Sequence, residues 1–358
     1  LPTVYTVDLR QELQEGNRSI FSRKLQELMT DRLNKGQQTI LFLNRRGYAG
    51  FVSCRSCGEV MKCPHCDVSL SEHKGGRLIC HYCGYTQPMP KLCPKCGSKY
   101  ILGFKAGTQQ IEEKLKELYP GVRTLRMDAD TTRTKDSYEK ILSSFANGEA
   151  DVLIGTQMIV KGHDFPKVTL VGILAADLSL NASDYRAGER TFQLLTQAVG
   201  RAGRGVLPGE AVIQTYQPDH YAITCAAAQD YESFYQEEIL YRELSGYPPV
   251  AHMLAVQIYG KEEENVKQLA LRLTDVVKSN MDFLSGKQKE QSNKKIQVLG
   301  PAPANISKIN DIYRYVFYVK HAEYDVLVEV KDRLEETLRQ WQSRQMSIQF
   351  DFDPVSVL

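Results

Sequence analysis

The 358-residue sequence has no uninterrupted run of 18 apolar residues, so it lacks the usual signature of a membrane-spanning helix, and no membrane partner is expected. It has no internal repeat and no charge imbalance: 45 basic side chains stand against 43 acidic ones. A net charge of +2 neither requires nor excludes a polyanionic partner, so any basic surface must be local. No G-x-x-x-x-G-K-[ST] loop occurs, which excludes a complete phosphate-binding loop of that type, and no acidic run accompanies one to hold magnesium. Leu1-Pro2-Thr3 carries neither an initiator Met nor a signal peptide, and the expectation is a piece of a longer chain.

Cysteine is present in an unusual arrangement. Eight of the nine cysteines fall between Cys54 and Cys96 as four C-x-x-C pairs: Cys54/Cys57, Cys63/Cys66, Cys80/Cys83 and Cys93/Cys96. That clustering favours a reduced compartment and metal over disulfides or a redox dithiol. Each pair offers two thiolates to one side of a tetrahedral ion, so two pairs complete a structural zinc site with no open position. The expectation is two zinc ions per chain. A nested scheme joins 54/57 to 93/96 and 63/66 to 80/83, bringing the ends of the segment together. The sequential alternative leaves a tight five-residue gap between pairs. Gly58, Gly84 and Gly97, each following a second cysteine, can relieve crowding by taking positive φ. His65, His73 and His81 are surface or supporting groups in this reading, since eight thiolates already fill two sites. Over 51–101 there are seven Lys/Arg and three Asp/Glu, a surplus that offsets the charge of two zinc–thiolate clusters.

Four segments emerge. Residues 1–50 contain a helix with Phe21, Leu25, Leu28, Met29 and Leu33 on one face, capped by Ser19 or a neighbour and ended by Gly36. Ile40-Leu41-Phe42-Leu43 then reads as a strand buried on both faces. Residues 51–101 have too few large aliphatics to form a core without metal. Residues 102–245 alternate helices (after Thr108, around 138–145 and 191–202) with strands (122–127, 152–154, 168–174, 211–215), the pattern of a parallel sheet with helices on both faces. A helical stretch at 219–245 leads to Pro248-Pro249, a rigid hinge. Residues 246–358 read as a smaller α+β domain with strands at 254–259 and 313–319 and helices at 262–280 and 323–341. The first and third segments together form one α/β domain, with the cysteine segment inserted.

Two stretches carry chemistry. Gly155-Thr156-Gln157-Met158-Ile159-Val160-Lys161-Gly162-His163-Asp164-Phe165 follows a buried strand, and a Gly-Thr there offers N–H groups and a hydroxyl to phosphate. Gln197-Ala198-Val199-Gly200-Arg201-Ala202-Gly203-Arg204 places two arginines three apart, read here as one helical face aimed at a developing γ-phosphate charge. In isolation G-R-x-G-R is equally a basic turn. The order and spacing of the two stretches make the pair specific.

With those residues in view, the chain resembles superfamily 2 helicases. G-T-Q-x-x-x-x-G-x-D is similar to their motif V and Q-x-x-G-R-x-G-R to their motif VI, both parts of a RecA-like second lobe. A zinc segment inside that lobe resembles the replication-restart primosomal helicases. So do Leu41-Phe42-Leu43-Asn44-Arg45-Arg46-Gly47-Tyr48, Asp184-Tyr185-Arg186-Ala187-Gly188-Glu189-Arg190 and the Tyr247-Pro248-Pro249 junction. The resemblance implies the carboxyl half of an ATP-dependent DNA helicase that unwinds branched DNA at stalled forks and begins primosome assembly, in the cytoplasm and associated with the nucleoid. It implies that Arg201 and Arg204 meet ATP phosphates, one as an arginine finger, with Gln197, Gly162 and Asp164 beside the nucleotide. Thr156 and Gln157 then lie near the DNA backbone. The zinc module contributes to strand displacement and to DNA or partner contact, and the last domain resembles an S10-like fold that helps bind branched DNA. Partners implied are forked or single-stranded DNA, primosome and single-stranded-DNA-binding proteins, and an amino-terminal lobe in cis that supplies the remaining ATP and magnesium ligands. The isolated chain is expected to be inactive. A zinc-dependent DNA- or protein-binding module without motor activity is the alternative, and motifs V and VI alone also fit an RNA helicase, although the zinc segment argues against it.

Other residues divide between two readings. Arg45 and Arg46 contact phosphate or form a solvated strand end. Residues 287–295 are a polar loop or a weak DNA contact. Tyr313, Arg314, Tyr315 and Lys320 interleave rings and cations as single-strand readers do, or are ordinary strand residues. Cys225 reads as a buried apolar side chain.

Overall fold

The computed structural model describes residues 1–43, 52–66, 68–73, 76–102, 107–128, 131–132, 134–156, 164–182, 184–280, 295–339 and 346–355. The strand expected at Ile40-Leu41-Phe42-Leu43 is β2 (Gln38–Phe42), buried along its whole length. It lies in a six-stranded sheet with β1 (Thr3–Asp8), β8 (Thr124–Met127), β9 (Val152–Gly155), β10 (Val168–Ile173) and β11 (Glu210–Thr215). The order is β1-β11-β10-β2-β9-β8, and every pairing is parallel.

Alternation along each strand supplies two cores. Ile40, Phe42, Leu153, Val171, Ile173 and Ile213 pack on one face against α4 (Lys135–Ala146), α6 (Ala187–Val199) and α7 (Tyr221–Ala228). Leu41, Ile154, Leu170 and Val212 pack on the other against α2 (Arg23–Asn34) and α3 (Thr108–Leu118). Burial on both faces is why these strands read as continuous apolar runs. Cys225 sits in the first core, as expected of a small apolar side chain.

Three expectations need correction here. The cap of α2 is Ser22, whose hydroxyl accepts from the Leu25 N–H at 3.3 Å, so Phe21 precedes the helix instead of lying on its face. The stretch 219–245 is two helices, α7 and α8 (Tyr231–Ser245), because Gln229 turns left-handed at φ 56° and caps the first. Strand β1 and the short helix α1 (Leu9–Gln14) were not anticipated: β1 is an edge strand, only half-buried, without the apolar run of its neighbours.

The chain forms two compact units, residues 1–61, 90–182 and 186–235 in one and 62–89, 183–185 and 236–358 in the other. The cysteine segment is therefore divided, whereas 51–101 was expected to be one module. In the first unit, β3 (Ser53–Cys54) pairs antiparallel with β7 (Ile101–Leu102). In the second, β4 (Ser71–His73), β5 (Arg77–Ile79) and β6 (Thr86–Pro88) form a three-stranded ribbon. The second unit also holds β12 (His252–Gly260), β13 (Gln297–Ile309), β14 (Ile312–His321) and β15 (Met346–Phe352), an antiparallel sheet in the order β13-β14-β12-β15.

Helices α9 (Glu263–Ser279) and α10 (Tyr324–Arg339) cover one face of this sheet through Leu254, Val256, Ile258, Phe317 and Val319. The alternating residues Met253, Ala255, Val316 and Tyr318 are buried on the other face. There the Tyr318 ring meets Tyr82 of the ribbon edge-on at 5.0 Å. Tyr82, Tyr185, Tyr247 and Tyr318 are all fully buried, and they join ribbon and sheet into one core.

Candidate metal centres and arginine site

The thiols assemble in the nested arrangement. Cys54, Cys57, Cys93 and Cys96 form one tetrad and Cys63, Cys66, Cys80 and Cys83 the other, with all Sγ atoms of a tetrad within 4.8 Å of one another. Local hydrogen bonds build each loop. The Cys54, Cys63, Cys80 and Cys93 N–H groups donate to the carbonyls of Glu59, Val68, Tyr85 and Ser98, at 2.7 to 2.8 Å. Gly58, Gly84 and Gly97 close three of the loops at φ 76°, 76° and 71°, a conformation that favours glycine.

The donor set fits zinc. Sulfurs on a tetrahedral ion at about 2.3 Å lie about 3.8 Å apart. Here Cys54–Cys96 and Cys57–Cys93 are 3.6 Å apart and Cys63–Cys83 3.5 Å. Contact among the thiols also divides their acidities. Hydrogen bonds from Cys66 and then Cys80 pull the Cys83 thiol far down, while contact with Cys80 and Cys83 drives Cys66 far up. Four such thiols share protons unless a cation holds all of them as thiolates. These are closed structural zinc sites. None of the histidines joins a tetrad among the described residues. His81 is buried, its Nδ1 is 3.0 Å from the Pro303 carbonyl of β13, and its Nε2 lies 3.0 Å from that of His73.

The arginine stretch does not lie on one helical face, which corrects the sequence reading. Helix α6 ends at Val199 with Gly200 as its cap, and residues 201–203 form a turn. Gly203 has φ 71°, donates its N–H to the Val168 carbonyl at 2.9 Å, and would put a Cβ 2.4 Å from the Gly209 nitrogen. No other residue fits there, so the small residues press the turn against the start of β10 and the backbone that leads into β11. The result is convergence. The Arg204 guanidinium pairs with Asp164 Oδ1 and bonds the Gly200 carbonyl at 2.9 Å, while Arg201 Nη1 stands 3.7 Å from the same carboxylate oxygen. Burial, and then the neighbouring Arg204 charge, lower the Arg201 pKa below its ordinary value. Two cations around one exposed carboxylate form a guanidinium cluster suited to meet an anion.

Gln197 is exposed on the last turn of α6, and half-buried Thr156 follows β9 with its N–H on the Met127 carbonyl at 3.3 Å. Arg45, Arg46, Gln157 and Gly162 lie outside the described residues, as does most of 287–295. Of the two readings of β14, that of ordinary strand residues holds for Tyr315 and Lys320. Tyr315 belongs to the helix-side core, and Lys320 is buried with Nζ 2.6 Å from the Ser245 carbonyl and 3.9 Å from the Tyr247 ring centre. The fourfold tyrosine core was missed, because no local pattern links Tyr82, Tyr185, Tyr247 and Tyr318.

Three family models match this chain: the helicase conserved C-terminal domain over 92–206, the PriA DNA helicase Cys-rich region domain over 63–88, and the primosomal protein N C-terminal domain over 243–355. The chain is 44% identical to the replication restart protein PriA of Bacillus subtilis over 360 residues, covering 100% of this chain and 43% of that protein. It is 42% identical to PriA of Synechocystis sp., over 100% of this chain and 42% of that protein. Against PriA of Haemophilus influenzae the identity is 35%, over 98% of this chain and 46% of that protein. The chain thus spans less than half the length of these relatives. The cysteine ribbon, the parallel lobe and the terminal sheet coincide with the Cys-rich, helicase C-terminal and primosomal C-terminal models, in that order along the chain, and the chain belongs to the PriA replication restart family, as the part that carries its C-terminal domains.

Proposed function

We propose that this chain is the second motor lobe of an ATP-dependent DNA helicase, together with the zinc segment and terminal domain that direct it to branched DNA for replication restart. The observation that carries the reading is the convergence of Arg201 and Arg204 on Asp164 beside the parallel sheet. Asp164 holds the guanidinium groups in place and a nucleotide phosphate competes for them, so that the pair neutralises charge as it develops. Gln197 and Gly162 border the nucleotide. Thr156 and Gln157, with Arg45 and Arg46, follow the DNA backbone. The phosphate loop and the magnesium ligands belong to a preceding lobe, in keeping with relatives more than twice as long.

The isolated chain then hydrolyses no measurable ATP. Supplying the preceding half of a family member in cis, with forked DNA, yields turnover that Arg204→Ala lowers by about 10³-fold or more. Turnover by the isolated chain contradicts the reading. Restored turnover that is indifferent to Arg201 and Arg204 favours a zinc-dependent binding module without motor activity.

A further inference from the structure

Lys320 stands next to the end of β14 and, by alternation, on the sheet face of Val316 and Tyr318, where the Tyr82 ring of the ribbon lies. It is only 6% exposed, and lysine is almost never so buried without a partner. Among the described residues no carboxylate lies within ion-pair distance of it. Its Nζ meets the Ser245 carbonyl at 2.6 Å and the Tyr247 ring centre at 3.9 Å, and a Cβ on Gly246 would stand 3.7 Å from its Cε. Carbonyl, ring and backbone enclose the ammonium, and none of them carries a negative charge.

These contacts have a bland explanation, capping. Ser245 ends α8, and a cation at its last carbonyl suits the helix dipole. A surface lysine would cap as well without being stripped of water, and a buried ammonium is costly until an anion faces it. The anion is Cys66. Tyr247 spans the two groups, with its ring under the ammonium and its hydroxyl 3.5 Å from the Cys66 carbonyl. Burial lowers the Lys320 pKa to about 8, and the charge that opposes this is that of Cys66, not that of Asp184, which reaches Tyr82 and Tyr318. Four thiolates on one zinc ion carry a net charge of about −2. The outer tetrad meets water at Cys96, but Cys63, Cys66 and Cys80 are buried, and the ribbon's own Lys62 and Arg77 are exposed.

We propose that Lys320 is the buried counter-cation of the inner zinc–thiolate centre, so that one lysine of the terminal sheet sets how firmly the ribbon holds its metal. The dependence runs both ways. The ammonium offsets charge on the buried side of the cluster, where water cannot, and the metal-bound thiolates supply the anion that a buried ammonium otherwise lacks. Groups beyond the ligands tune a metal in this way, and here the group comes from a strand far along the chain from the cysteines.

The test is zinc release from the zinc-loaded chain to a coloured chelator. Lys320→Met, which keeps the length and loses the charge, should release one zinc about tenfold faster or more and the other at the parental rate. The hastened ion should be the one that Cys54→Ser/Cys57→Ser retains. Parental release of both ions, or equal hastening of both, overturns the proposal. The urea midpoint separates charge pairing from capping. Lys320→Met should lower it in the zinc-loaded chain. In a chain whose inner tetrad is Cys63→Ser/Cys66→Ser/Cys80→Ser/Cys83→Ser, the same substitution should lower it no further, because the anion has gone. An equal lowering in both backgrounds assigns Lys320 to capping α8 alone and overturns the proposal. If the quadruple-serine chain does not fold, the release rates decide by themselves.

Discussion

Tyr185 lies flat on Tyr247, with ring centres 4.8 Å apart and planes 8° from parallel. Its N–H donates to the Tyr82 hydroxyl at 3.2 Å, its own hydroxyl donates to the Pro354 carbonyl at 3.3 Å, and the Arg242 guanidinium stands over the ring at 4.9 Å. Removing this ring empties the centre of a core. Tyr185→Ala is expected to cost about 3–5 kcal/mol, and Tyr185→Phe, which loses one hydrogen bond, about 1 kcal/mol. Urea midpoints at constant zinc check both. Equal values for the two variants would mean that the ring contributes nothing.

The two metal centres should differ in lability. Cys96 of the outer tetrad is exposed and Cys57 half-buried, whereas Cys63, Cys66 and Cys80 of the inner tetrad are buried. A coloured chelator should therefore remove two zinc ions per chain in two phases of equal amplitude. Cys54→Ser/Cys57→Ser should abolish the faster phase and leave one zinc by elemental analysis. Loss of the slower phase instead would reverse the assignment.

Asp177 gives the fold a pH dependence of known sign. It is fully buried, and burial pushes its carboxyl up to about 6, even though the Tyr216 N–H and Thr215 hydroxyl favour the anion. Between roughly pH 4 and 6 the folded chain keeps a proton that the unfolded chain has released. Stability from this group is complete below about pH 4 and is lost as pH rises through 6. Relative to the parent, Asp177→Asn should therefore gain stability across that window, by at most about 3 kcal/mol, and hold the gain above it. Chemical unfolding with zinc in excess measures it, and a gain that shrinks as pH rises would reverse the sign.

Gly203→Ala tests the turn that aims the arginines. A left-handed residue with its Cβ against the Gly209 backbone should destabilise the chain by about 1–3 kcal/mol. On the proposed motor reading, ATP hydrolysis by the chain joined to the preceding half of a family member should fall with it. The control Ala202→Gly keeps the turn's conformation accessible and should retain most of the turnover. Full activity in Gly203→Ala would show that the arginines find Asp164 without this turn.

What could be read beforehand was local. A C-x-x-C-Gly loop carries its own hydrogen bonds and its own φ, so the tetrads were legible from spacing alone. Strands buried on both faces, such as β2 and β9, were legible as unbroken apolar runs. Edge strands were not: β13 contains Pro301 and Pro303, which argue against a strand except at a sheet margin, where β13 lies. The arginine pair was found, but its geometry was misjudged, because helical spacing says nothing about a cap at Gly200. Lys320 and Tyr315 stayed open between surface readers and ordinary strand residues, because a strand's two faces cannot be told apart until both are known to be covered.

The contact between Tyr82 and Tyr318 also has a consequence for biosynthesis. A chain made from its amino terminus presents the ribbon, with its thiols and the Tyr82 ring, long before β14 exists to cover it. The local Cys-x-x-Cys loops can take up metal at once, but their apolar back stays wet until β14 has been made. Zinc is the earliest ordering event open to this segment, and the ribbon it shapes is a template that waits for β14 to arrive.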